Sequence, residues 1–212
     1  MAKAPRKEVT KWLGKMLMRD IFKVPSDPRH YWASEVTLRR KDREPGESED
    51  IRVDFMQFVP VNQTAGGIDR GEFICYEVKS CKAEFKSKHG HNLIGDKNYY
   101  VMTEQLLDEL KAEDPHLKQL CLRHGYGARA GVYVPRGGYA VGDEDFKETC
   151  EEAFPQLALY NPLTKTRETG ELSCVLRADV NAHRPYSNSE LLFAMLRSAG
   201  RDRKQYDRSW WT

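Results

Sequence analysis

No cysteine pair in the 212-residue chain stands at CxxC spacing, and the five cysteines are an odd number. A disulfide framework is therefore not expected, and the usage suits a reducing compartment. Apolar runs never approach the roughly eighteen residues a membrane helix needs. The basic first residues are not followed by the apolar segment of a secretory signal. The sequence thus predicts a soluble, cytoplasmic protein with no membrane partner. An excess of one charge is lacking too, since 34 Lys and Arg stand against 32 Asp and Glu for a net +2. That balance does not announce nucleic-acid binding, so any basic patch must come from local distribution. Neither an internal repeat nor a low-complexity tract is present. Cys121 with His124, and His89 with His91, could be fragments of a zinc site, but neither has a second half at ligand spacing.

What the chain does have is a pair of alternating segments around a turn. Ile51, Val53 and Phe55 alternate with Arg52 and Asp54, and Ile74, Tyr76 and Val78 alternate with Phe73, Cys75, Glu77 and Lys79. Asn62 to Gly71 between them is rich in turn residues, which predicts a hairpin. Side chains on a strand point alternately to its two faces, so Glu77 and Lys79 share one, and Asp54 shares its own with Met56 and Phe58. If those faces coincide, two carboxylates and one ammonium meet on a mainly apolar surface. Isolated charges are costly there, and neighbouring carboxylates repel. A divalent cation would resolve the conflict by taking oxygen ligands from both acids, leaving Lys79 for a water or a phosphate oxygen. The plainer alternative is a Glu-Lys pair on an edge strand.

Around this hairpin the elements read in order. Val9, Trp12, Leu13, Met16, Leu17 and Ile21 recur at helical spacing and predict a helix ending before Pro25. Lys7, Lys11, Lys15, Arg19 and Lys23 make a basic stripe on it, either a solvated face or a ridge for phosphates. Tyr31 to Leu38 reads as a short strand holding Glu35, which could be a ligand or could pair with Arg39 or face solvent. Arg39 to Asp50 reads as a charged loop. Lys82 to Lys88 is a short helix candidate, Gly90 to Asn98 a loop, Tyr99 to Met102 a strand, Glu104 to Glu113 a helix and Ala130 to Val134 a strand. Asp143 to Phe154 is compatible with an acidic helix and Pro155 to Gly170 with an irregular connection. Ser189 to Ala199 is a helix, and the tail carries Tyr206, Trp210 and Trp211 among cations. The succession predicts an α/β fold, a mixed central β-sheet flanked by helices, with at least one parallel crossover. Residues 1–138 form the expected core, 139–200 a C-terminal extension packed on the same domain, and 201–212 a basic aromatic tail.

The order of helix, Glu35, Asp54 and Glu77-Val-Lys79, then a short helix and further strands, resembles the PD-(D/E)XK nuclease superfamily. Arg52 to Asp54, Tyr76 to Ser80 with Glu84 and Phe85, Asp96-Lys97 and Tyr99 to Val101 are similar to MmcB-like DNA repair proteins and their phage relatives. The likeness spans residues 31 to 135. It implies a restriction-endonuclease-like core and a magnesium-dependent site, open to manganese, that cuts DNA phosphodiesters. Asp54 and Glu77 match the metal ligands, Lys79 the catalytic lysine and Glu35 an upstream acid, with the Val78 carbonyl as a further ligand. Val53 stands where the family usually has Pro, and Gly90 to Gly95 is an insertion before Lys97. Lys11, Lys15, Arg19, Lys82, Lys86 and Lys97 are the expected nucleic-acid contacts. Two alternatives remain beside a nuclease: the same fold kept as a nucleic-acid-binding or assembly module without cleavage, and an HNH-type site on His89, His91 and Asn92. The oligomeric state is left open, a homodimer included.

Overall fold

The computed structural model describes residues 4–22, 31–41, 49–87, 90–121, 128–138, 140–141 and 158–206. Lys23, His89, His124, the Asp143 to Phe154 segment and Trp210 with Trp211 lie outside the described residues. At its centre is a six-stranded sheet in the order β1-β2-β3-β4-β5-β9. Its strands are β1 (Tyr31–Arg39), β2 (Asp50–Val59), β3 (Glu72–Lys79), β4 (Lys97–Met102), β5 (Gly131–Arg136) and β9 (Glu171–Leu176). β3, β4 and β5 run parallel, while β1-β2, β2-β3 and β5-β9 are antiparallel pairs. The protein is therefore α/β with a mixed central sheet flanked by helices. β6 (Ala140–Val141), β7 (Leu159–Asn161) and β8 (Thr166–Glu168) form a second, small sheet in the order β6-β8-β7.

Period-two alternation gives the large sheet two apolar faces, and each is covered by what the 3.6-residue pattern provides. One face carries Phe55, Tyr76, Val78 and Val101, which pack against Val9, Trp12, Leu13, Met16 and Leu17 of α1 (Arg6–Leu17). A π-helical turn, Met18–Phe22, follows α1, and Phe22 stacks on Trp32 at 4.9 Å. On the other face Met56, Phe58, Phe73 and Cys75 meet Leu191, Ala194 and Met195 of α5 (Asn188–Tyr206). Tyr100, Met102, Val132 and Val134 on that face meet Phe85 of α3 (Lys82–Lys86) and Leu106, Leu107 and Leu110 of α4 (Glu104–Glu113). α4 starts where Thr103 caps it by accepting from the Leu106 N–H at 3.2 Å. α5 starts with a reciprocal capping pair: Ser187 Oγ accepts from Glu190 N–H, and Glu190 accepts from Ser187 N–H at 2.8 Å.

Three expectations change. The Asn62 to Gly71 turn contains a short helix, α2 (Ala65–Asp69), capped by Thr64. The boundary at residue 138 cuts through the sheet, because β9 from the 139–200 stretch pairs with β5 along its length. Part of the supposed irregular connection up to Gly170 is the β7-β8 hairpin, turned at Lys165 with φ +62°. Among the described residues no helix is long and apolar enough to cross a membrane.

Candidate active site

The register that sets Phe55 against Tyr76 brings Asp54 level with Glu77 across the β2-β3 pair. Both carboxyls lie on the face of the sheet that α3, α4 and α5 cover. Asp54 Oδ2 accepts from the Val78 backbone N–H at 2.9 Å, which fixes its orientation. Glu77 and Lys79 are 1% and 2% exposed, unusual burial for charged side chains. The charge of Asp54 acts directly on the Glu77 carboxyl, so ionising both acids together is disfavoured.

The surroundings of the two carboxyls differ. Burial, then the charge of Asp54, pushes Glu77 well above the usual carboxylate range, against the charge of Lys79 and a hydrogen bond from the Asn92 N–H. Asp54 is also raised by burial, but the Val78 N–H and Lys79 resist. Glu77 is thus the acid pushed furthest toward its neutral form, and the titrations of the two acids depend on each other. Glu77 Oε1 remains buried without a hydrogen-bond partner. A buried acceptor left without a donor in a native site is costly and asks for an explanation.

A loop covers the pair. Gly90 adopts φ +70°, and a Cβ there would stand 2.6 Å from Lys79 Nζ and 3.4 Å from Glu77 Oε2. Glycine is required by both the left-handed backbone and the close approach. The loop is held by Asn92 Nδ2, which donates to the Arg52 carbonyl at 2.9 Å. His91 anchors it with both ring nitrogens: Nδ1 lies 2.6 Å from Tyr100 Oη and Nε2 2.7 Å from the Phe85 carbonyl. Since a carbonyl only accepts, Nε2 carries the proton and Nδ1 accepts from Tyr100. Burial, then the charge of Lys79, holds His91 below the usual imidazole range. These contacts commit His91 and Asn92 to fastening the loop and leave them unsuited to HNH chemistry. Sequence reading treated Gly90 to Gly95 as an insertion and missed this lid; a glycine beside two polar residues was the only signal.

The structure redistributes the other expected site residues. Glu35 does not join Asp54 and Glu77. Its backbone has φ +51° and breaks the β1-β2 ladder between Ser34-Phe55 and Val36-Val53. Ser198 of α5 stabilises the break by donating to the Ser34 and Glu35 carbonyls at 2.6 and 3.1 Å. The Glu35 side chain is half exposed and paired with Arg52 at 2.7 Å, where Arg39 was the expected partner. Arg19 is no phosphate ridge, because it is bound to Asp20 and to the Gly170 carbonyl. Lys82 and Lys86 both pair with Glu113 of α4, Lys86 at 2.7 Å. Lys97 pairs with Glu72 at 2.8 Å. It stands level with Ile74, five residues down the ladder from Lys79 and so about 17 Å away. Lys11 is exposed and Lys15 partly so. Cys121 lies in an isolated bridge with Arg129.

A magnesium ion needs one or two carboxylates and keeps several waters. Asp54, Glu77 with its partnerless Oε1 and the Val78 carbonyl fit that demand. Among the described residues no three His, Cys, Asp or Glu side chains are grouped to hold a metal, so a metal here rests on two acids and not three. Glu84 supports the site from behind: it accepts from Ser80 N–H and Oγ at 3.0 and 2.8 Å and pairs with Arg6 of α1 at 2.8 Å. Burial raises the Glu84 carboxyl, but Arg6 and Ser80 outweigh it and hold it below its ordinary value.

No protein-family model and no curated protein matches the chain. Among solved structures it is similar to the SPO1766 protein of unknown function from Silicibacter pomeroyi. That likeness has a TM-score of 0.49 and 14% identity, covering 95% of this chain and 92% of the other. At that level it carries no argument about chemistry.

Proposed function

We propose that the chain is a metal-dependent nuclease that hydrolyses DNA phosphodiesters, with Asp54 and Glu77 as ligands and Lys79 as the charge-stabilising group. The observation that carries the proposal is the buried carboxyl pair with an acceptor oxygen left without a donor, beside a buried lysine on the same strand face. Bound magnesium or manganese would supply Lewis-acid stabilisation and activate water. Asp54 is pre-oriented by the Val78 N–H and loses no further freedom on binding. Lys79 contributes a fixed positive charge where the attacked phosphate accumulates negative charge, and it orients the water. The resemblance to PD-(D/E)XK nucleases points the same way.

Chemistry requires the loop to move, since it covers Glu77 and Lys79 and the Asn92 N–H occupies the Glu77 carboxyl. Gly90→Ala should favour the open loop, because a left-handed backbone costs an L-residue roughly 1–2 kcal/mol. Apparent magnesium affinity, read by calorimetric titration, should rise about 5- to 30-fold. Unchanged affinity would mean the loop does not gate the site.

The same closure, with Glu35 turned away, favours a second reading: a nucleic-acid-binding module that does not cut. Labelled linear, circular, single-stranded and branched DNA, each incubated with wild type and Lys79→Ala in magnesium, separates the two. Binding without cleavage by wild type would establish the module.

A further inference from the structure

A second feature lies beside the acid pair, where the sheet opens. β1 and β2 stay paired as far as Arg39 and Asp50, but the pairing of β2 with β3 stops at Phe55 and Tyr76. The next donor of β3 on that side is the Val78 N–H, and the Asp54 side chain takes it where a β2 carbonyl would continue the ladder. Residues 36–39 and 50–53 therefore form a two-stranded arm, whose Val36, Leu38, Ile51 and Val53 lie in the core cluster shared with α5. The lid is wedged between this arm and the end of β3. Asn92 donates to the Glu77 carboxyl with its backbone N–H and to the Arg52 carbonyl with its side-chain amide. Arg52 thus borders the cleft, two positions and about 7 Å along the strand from Asp54.

The Arg52 guanidinium is already occupied. Its Nε lies 2.7 Å from Glu35 Oε2, with the two side chains 63% and 50% exposed. Glu35 sits opposite Asp54 in the β1-β2 register, between the pairs Ser34-Phe55 and Val36-Val53. Its backbone is left-handed at φ +51°, which is costly for a residue with a Cβ. The buried Ser198 hydroxyl pins that conformation through the Ser34 and Glu35 carbonyls. An exposed ion pair stabilises a fold little, so the pair by itself does not account for the strain. Strain maintained by its surroundings points to function. Here it sets a carboxylate on a cation that borders the cleft. Carboxylate and phosphate oxygens accept the same forked hydrogen bonds from a guanidinium.

Building on the nuclease reading, we propose that Arg52 binds a backbone phosphate of the DNA beside the bond to be cut, and that Glu35 holds the guanidinium until the substrate displaces it. The ligand class is a phosphodiester, recognised without regard to base. Glu35 is then a built-in competitor, because DNA must break its contact with Arg52 before Arg52 can contribute to binding.

Fluorescence anisotropy with a short labelled DNA duplex in EDTA tests this without cleavage. Arg52→Gln should weaken binding about 10-fold, in line with losing one charged hydrogen-bonding contact, and lower the salt slope by about 1. Glu35→Gln keeps the volume and removes the competing charge, so it should tighten binding about 2- to 5-fold, as release of an exposed ion pair allows. That gain should vanish when Arg52 is also Gln, since the two residues act through one contact. Both side chains are half exposed or more, so each variant should melt within about 2 °C of wild type, which separates these effects from misfolding. An unchanged salt slope in Arg52→Gln, an equal gain from Glu35→Gln with and without Arg52, or no DNA binding would each overturn the proposal. Cleavage by wild type in magnesium, with the full salt slope kept in Arg52→Gln, would sink this inference and leave the nuclease reading intact. The expected slope and coupling without cleavage would support the role of Arg52 and sink the nuclease.

Discussion

Alanine at Asp54, Glu77 or Lys79 should each lower the rate of DNA cleavage by roughly a hundredfold or more, the usual cost of losing a preorganised charge-stabilising group. The two acids share one proposed ligand, so they act as a unit. The double variant should be little worse than either single one. Lys79→Met belongs in the set, because it keeps the volume of a side chain that is 2% exposed and separates lost charge from lost packing. Glu35→Ala is the contrast. Its side chain is half exposed and held by Arg52, so cleavage should change only a few-fold. Single-turnover rates on labelled DNA, with melting curves to confirm folding, check the series. Near-wild-type rates for both Asp54→Ala and Glu77→Ala would remove the acid pair from the chemistry, and a hundredfold loss for Glu35→Ala would restore it to the site.

Glu77→Gln should make the metal-free protein more stable at pH 8 while abolishing cleavage. The sign follows from proton counting. Glu77 is raised above its ordinary 4.5, so between that value and its folded value the native state binds more protons than the unfolded chain. Its contribution is fully present below about pH 4.5 and lost as pH rises through the folded value. Asp54, raised by burial, contributes in the same direction. A glutamine keeps the volume and stays neutral at every pH. Neutral groups replacing buried charges of similar volume gain about 1–4 kcal/mol, which for a chain of this size is several degrees of melting temperature. Glu84 runs the opposite way: held low by Arg6 and Ser80, it adds stability above its unfolded value that is lost as pH falls. Thermal melts of wild type and Glu77→Gln in EDTA across pH 5 to 9 should therefore diverge toward high pH. Parallel curves would show that Glu77 is ionised and satisfied in the native state.

The hairpin was legible because its alternation is enforced by burial: Met56, Phe58, Phe73 and Cys75 pack on one covered face, and a one-residue slip would move them all to the other, where α1 packs against different residues. That register alone brings Asp54 to Glu77, so the acid pair could be read from spacing. α4 was legible from Glu104 to Glu113 because a capping threonine and a leucine stripe bound it locally. Residues settled by distant partners were not. Glu35 is turned out by a serine 163 positions away, and Arg19 is claimed by a carbonyl 151 positions away. β7 and β8 are three residues each, too short for alternation to register, and β9 joins a strand that ended 35 positions earlier. The lid was illegible for another reason. Its contacts to Glu77 and Arg52 come from the Asn92 backbone and amide, whose targets no periodicity reveals.

The account turns on whether the Asp54-Glu77 pair is a metal site, and the melting temperature in magnesium asks this without a substrate. A ligand at ten times its Kd that binds only the folded state adds about 1.4 kcal/mol, or roughly 3–5 °C for this length. Wild type should melt higher by that amount in magnesium than in EDTA. Asp54→Asn should be at least as stable as wild type in EDTA, since the repulsion within the pair is gone, and should lose most of the magnesium increment. If Asp54→Asn is strongly destabilised in EDTA and magnesium shifts both proteins equally, Asp54 is a structural acceptor for the Val78 N–H and the pair holds no metal.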